Sequence, residues 1–156
     1  MLSAVPVGKA HAQQPAAPEV TADSINDEMA ERLEAARQRL IDIRQRLEQT
    51  PIDDLKLAEL RVQADEVATE LEGASADLET RLSQIQARLA DLGEAPAAGQ
   101  PAEAEAVTDE RNRLTTERAE LTVIIDDAAN LRTNANQATS SISTLRRDLF
   151  TETLFK

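Results

Sequence analysis

The 156-residue sequence has no cysteine, tryptophan or tyrosine, and only two phenylalanines, four glycines and one histidine. Without cysteine there is no disulfide, no thiolate ligand and no cysteine nucleophile, and nothing in the sequence marks a redox compartment. With two aromatics the usual filling of a globular core is missing, since each aromatic side chain buries about 150–250 Å². Basic charge is scarce as well: 17 Lys and Arg stand against 29 Asp and Glu, a formal net charge of −12. That balance excludes nucleic acid as a partner, because gripping a phosphate backbone relies on Lys and Arg displacing its counterions. No apolar run reaches the ~20 residues of a membrane-spanning helix.

What remains is alanine and leucine with glutamate, aspartate, arginine and glutamine, the composition of long helices packed side by side. The first run places Ile25, Met29, Leu33, Ala36, Leu40, Ile43 and Leu47 at intervals of three and four, a single helical stripe. Ser24, three residues before Asp27, is the expected N-cap. The run stops at Thr50-Pro51, since proline lacks an N–H and disfavours helical geometry in the residue before it. The same pair opens the second run, with Thr50 as cap, Pro51 in the first helical position, and Asp53 and Asp54 at the positive end of the helix dipole. Its stripe is Leu60, Ala64, Val67, Leu71, Ala74, Leu78, Leu82, Ile85, Leu89 and Leu92, closed by Gly93.

A Pro/Gly/Ala-rich connection follows, and then a third run with Leu114, Leu121, Ile124, Ala128, Leu131, Ala135, Ala138, Ile142, Leu145 and Leu149 in the a/d spacing of a coiled coil. The spacing predicts helices over residues 24–49, 51–92 and 107–150. The second and third would be similar in length, about 65 Å at 1.5 Å per residue. The expected fold is all-α: a long antiparallel coiled-coil helical hairpin with a shorter third helix at its base. The i,i+4 pairs Glu28–Arg32, Asp42–Arg46, Asp77–Arg81 and Asp109–Arg113 are expected to support the helices, each by about 0.2–0.5 kcal/mol. So few large apolar residues leave an isolated chain marginal, which favours self-association.

Chemistry is not expected. The sole histidine, His11, lies in a Pro/Ala/Gln-rich tail, so a Ser-His-Asp arrangement lacks its base. No phosphate loop, H-E-x-x-H or EF-hand spacing occurs. Asp65, Glu66, Glu70, Glu72, Asp77 and Glu79 form an acidic stretch that reads as a solvated helix face, not as converging metal ligands. No catalytic, cofactor-binding or metal-binding residue is therefore assigned. Thr133 to Thr144 is rich in small polar residues and is expected to face outward around the seam positions Ala135, Ala138 and Ile142.

Residues 1–20 read as the remnant of a processed leader or as a disordered tail. Ala10-His11-Ala12 has the A-x-A form that precedes signal-peptidase cleavage, while only Leu2 to Val7 stand where a full apolar segment is needed. At the other end, Leu154-Phe155-Lys156 has no cap, and a longer natural polypeptide is expected.

Three features together carry a family resemblance: the Ala/Leu/Glu/Arg-rich hairpin of residues 21–156, the Gly93-Glu94-Ala95-Pro96 loop, and the closing Arg146-Arg147-x-Leu149-Phe150-x-x-x-Leu154-Phe155. The chain resembles the extracytoplasmic N-terminal helical region of large bacterial mechanosensitive ion channels of the small-conductance class. The resemblance implies a periplasmic domain outside the inner membrane, joined through a missing C-terminal continuation to membrane helices and a pore. It also implies self-association as channel subunits, and for Arg146 and Arg147 either a place near lipid phosphates or a role as partners of a helix dipole. The other expectations from the residues are a stand-alone periplasmic scaffold or adaptor and, if the A-x-A is accidental, a cytoplasmic coiled-coil protein.

Overall fold

A computed structural model describes residues 22–49, 52–99 and 101–155, so the expectations for the tail, for His11 and for Thr50-Pro51 fall outside the described residues. The described residues are all-helical: α1 (Ala22–Leu47), α2 (Asp54–Asp91) and α3 (Glu105–Leu154), with no strand among them.

The boundaries differ from the expected ones for local reasons. Ser24 lies inside α1, which is already helical at Ala22, so it is not the cap. α2 starts at Asp54, with Asp53 extended and its carboxylate accepting from the Lys56 backbone N–H at 2.8 Å. An aspartate ahead of the first turn meets both the free N–H groups and the positive end of the dipole, which moves the start three residues past Pro51. α3 is 50 residues long and α2 is 38, so the expected match in length does not hold. Arg146 pairs with Asp54 at the start of α2, and α3 runs on past that level to Leu154.

The cross-helix partners give the packing. Arg88 meets Glu110, Arg81 meets Glu117, Asp65 meets Thr139 and Asp54 meets Arg146. Partners on α3 advance as those on α2 recede, so the two helices run in opposite directions along their shared length. α1 lies against both, with Arg39 on Glu66 and Glu70 of α2, and Arg37 on Asp127 of α3. At its upper end Asn26 donates to Glu120 at 3.0 Å. From Asp54 to about Leu78 the chain is therefore a three-helix base. Beyond it, α2 and α3 alone make a two-helix arm.

The stripes of the three runs form the interior. Ile43, Leu57, Leu60, Ala64 and Ile142 are buried together at the lower end of the base. Met29, Leu33, Ala36, Val67, Leu71, Ala128, Leu131 and Ala135 continue the core upward, and Leu78, Ile85, Leu114 and Leu121 carry it into the arm. Full burial of an aliphatic side chain contributes about 1.5–3 kcal/mol, so this seam accounts for most of the association of the helices. In the arm Leu82, Leu89 and Leu92 are only half-buried, because no third helix covers them.

Candidate interaction sites

The arm holds the one charged residue buried in the seam among the described residues, Glu117, only 6% exposed. It occupies the interval between Leu114 and Leu121, where an apolar residue would continue the stripe. Arg81 of α2 donates to its Oε1 through Nε at 2.8 Å and lies at 2.7 Å through Nη2. Arg113, one turn earlier on α3, donates to Oε2 at 3.3 Å. Both arginines were expected in surface pairs, Asp77–Arg81 and Asp109–Arg113. They are drawn to Glu117 instead, because a carboxylate out of water costs far more unpaired than one on the surface. The other two expected pairs form, Glu28–Arg32 at 2.6 Å and Asp42–Arg46 at 2.9 Å.

The far end of the arm is closed by Arg111. Its guanidinium donates to the carbonyls of Gly93 at 2.6 Å and Leu92 at 3.2 Å, and to Glu103 Oε1 at 2.6 Å. The pair is well covered, with side chains 15% and 17% exposed. Helices of opposite direction bring the negative end of α2 beside the positive end of α3. Arg111 serves the first by bonding the carbonyls of Leu92 and Gly93, which directly follow it, and Glu103 lies just ahead of the second, whose N-cap Ala104 has no side chain able to cap. Gly93 takes φ +69° here, the left-handed conformation expected of the residue that ends α2.

Arginine partners lower several carboxylates below their usual range. The hydrogen bond from Arg111 lowers Glu103, that from Arg88 lowers Glu110, and that from Arg146 lowers Asp54. Glu34 is lowered by the hydrogen bond from Gln38 and then by that from Arg37.

Part of the acidic stretch on α2 has a structural use. Glu66 and Glu70 hold Arg39 of α1, and Asp65 accepts from Thr139 at 2.8 Å, while all six carboxylates stay exposed. No group of His, Asp and Glu among the described residues is placed to hold a metal ion. Ala135 and Ile142 are buried and Ala138 is half-buried, while most of the small polar residues between Thr133 and Thr144 face outward. Several of their hydroxyls bond back to their own helix, Ser140 to the Asn136 carbonyl and Ser143 to that of Thr139.

At the lower end, Arg146 is engaged with Asp54 through Nε at 2.6 Å and Nη2 at 3.0 Å. Arg147 lies one residue on, with Thr144 Oγ1 at 3.5 Å. Phe150, Leu154 and Phe155 are exposed beside them. No helix of the described residues is long and apolar enough to cross a membrane. Comparison with protein-family models, curated proteins and solved structures finds no match to the chain.

Proposed function

We propose that this chain is a stiff spacer and assembly module, an antiparallel coiled-coil hairpin with α1 packed at its base. The observation that supports this most is the unbroken α3, 50 residues and about 75 Å. It is fastened to α2 from Asp54–Arg146 at one end to the Arg111 clamp at the other. A rod fixed at both ends holds attached elements at a set distance. Its interior is filled by alanine and leucine layers rather than left open for a substrate.

In its specific form the proposal is that the module is the extracytoplasmic N-terminal domain of a mechanosensitive ion channel, whose pore lies in a continuation of the polypeptide. There it would modulate or scaffold assembly and gating by making different contacts in the closed and open states. The resemblance in the Arg146-Arg147…Leu154-Phe155 ending supports this reading, with its location on the periplasmic side of the inner membrane. The test is deletion of residues 21–145 from the full polypeptide, with patch-clamp measurement of gating tension. A shifted threshold is expected; an unchanged threshold overturns the gating role.

The second reading is a stand-alone periplasmic scaffold or adaptor that recruits a partner by its loop tip. It is favoured by the tip itself, where Glu94 to Ala98 are displayed beyond the Arg111 clamp. The coding DNA beyond Lys156 separates the two. Several hydrophobic spans support the channel, and an immediate stop codon supports the adaptor.

A further inference from the structure

We propose that Glu117 sets the register of α2 against α3, selecting one alignment from several that the leucines alone would accept. The apolar seam repeats at seven residues on both helices: Leu71, Leu78 and Ile85 on α2, and Leu114, Leu121, Ala128, Ala135 and Ile142 on α3. Sliding one helix by seven residues places apolar residues against apolar residues again. The apolar pattern therefore leaves the alignment degenerate.

The ion pairs bias that choice, most strongly against one direction of sliding. Arg81 faces Glu117 and Arg88 faces Glu110, two pairs one heptad apart. A slide of one heptad in one direction retains an Arg81–Glu110 pair but sets Glu117 against Ala74, which is buried. A slide in the other direction retains Arg88–Glu117 but sets Arg81 against Ile124, which packs on the core. The second slide costs only the partner of Arg81, whose side chain is 44% exposed, whereas the first leaves Glu117 without a partner inside the seam. The penalty for an unpaired charge there is large, whereas the paired charge gains little over an apolar residue of similar size. The function of Glu117 is thus alignment more than stability. An aligned arm fixes how far the loop tip stands from the base, so this inference sharpens the spacer reading without requiring a channel.

The experiment uses the full chain with spin labels on Ala76→Cys and Asp109→Cys, both exposed positions in a protein with no cysteine of its own. With Glu117 present, one narrow distance distribution is expected by pulsed electron resonance. In Glu117→Leu a second population is expected, displaced by about 10 Å along the helix axis, one heptad at 1.5 Å per residue, with the helical circular dichroism retained. Glu117→Gln, which keeps the shape and loses the charge, is expected to split in the same way with a smaller second population. A single unchanged distribution in Glu117→Leu overturns the proposal, showing that the leucines suffice. Loss of helical signal in both variants also overturns it, since the ion cluster would then hold the arm together instead of aligning it.

Discussion

The base and the arm are built from the same two helices, yet they are held by different means. In the base, α1 fills the groove between α2 and α3, and Leu57, Ala64, Val67, Ala128, Ala135 and Ile142 are sealed from water. In the arm that groove has no third occupant, and Arg81, Arg88 and Arg111 cross it or close its end with carboxylates and carbonyls. Where a third helix covers the seam its buried positions are apolar, and the ion pairs Arg37–Asp127, Arg39–Glu70 and Arg146–Asp54 stay on the surface. Where none does, charged side chains shield the seam with their stems and place their heads in partly wet ion pairs.

The sharpest test of this contrast is truncation of one residue from each region. Ile142→Ala, at a site with no exposure, is expected to cost about 2–5 kcal/mol, measured as a fall in the urea midpoint. Leu89→Ala, half-buried in the arm, is expected to cost only about 1–1.5 kcal/mol. Equal losses would break the distinction between the regions.

Next in size is Arg111→Ala. Amide exchange is expected to quicken severalfold at residues 88–93 and 104–108, where two helix ends lose their partner, and to stay unchanged in the base. Spread of the effect to Ile142 would mean that the arm and base open as one unit.

Gly73→Ala should have a smaller and opposite effect. Nothing lies within 4 Å of an added Cβ, and Gly73 sits inside α2, so a gain of about 0.5–1 kcal/mol is expected in thermal or urea unfolding. A loss would show that the bare backbone at this point has another use.

Acidification is the mildest probe, because Glu34 and Asp54 lie in exposed, screened pairs and only Glu103 is well covered. Glu103, Glu110, Asp54 and Glu34 have folded-state values below their ordinary ones. The folded state thus binds fewer protons than the unfolded state across that window. The stabilisation from each is complete above the ordinary carboxylate range and disappears as pH falls through the lowered value. Exchange followed from pH 6 to pH 3 should report earlier opening at the loop, where Glu103 and Glu110 lie, than at Ala128 or Ala135. Simultaneous opening would remove the contrast.

Much of the fold was legible in the spacing of apolar residues. Leu33, Val67, Leu121 and Ile142 are all buried where their three-and-four intervals place them. Leu57 has no exposure but was not included in the expected stripe, although it precedes Leu60 by three. The observed start of α2 at Asp54, capped by Asp53, lies later than the expected bound at residue 51. Glu117 was missed because a charged residue in the seam leaves a gap in an apolar pattern. The signal was the seven-residue interval from Leu114 to Leu121, with arginines at positions 81 and 113 able to reach across and along. The Arg111–Glu103 clamp joins positions eight apart across a helix start and reaches carbonyls far back in sequence, so no local rule reveals it.

Because α3 passes through base and arm without interruption, a tilt at the base would be carried into the arm. A tilt of about 10° at Asp127, which Arg37 of α1 holds, would carry the start of α3 at Glu105, about 33 Å away, through about 6 Å. Small rearrangements among the alanines around Ala128 and Ala135 would then become larger excursions of the loop, with no hinge in between to absorb them.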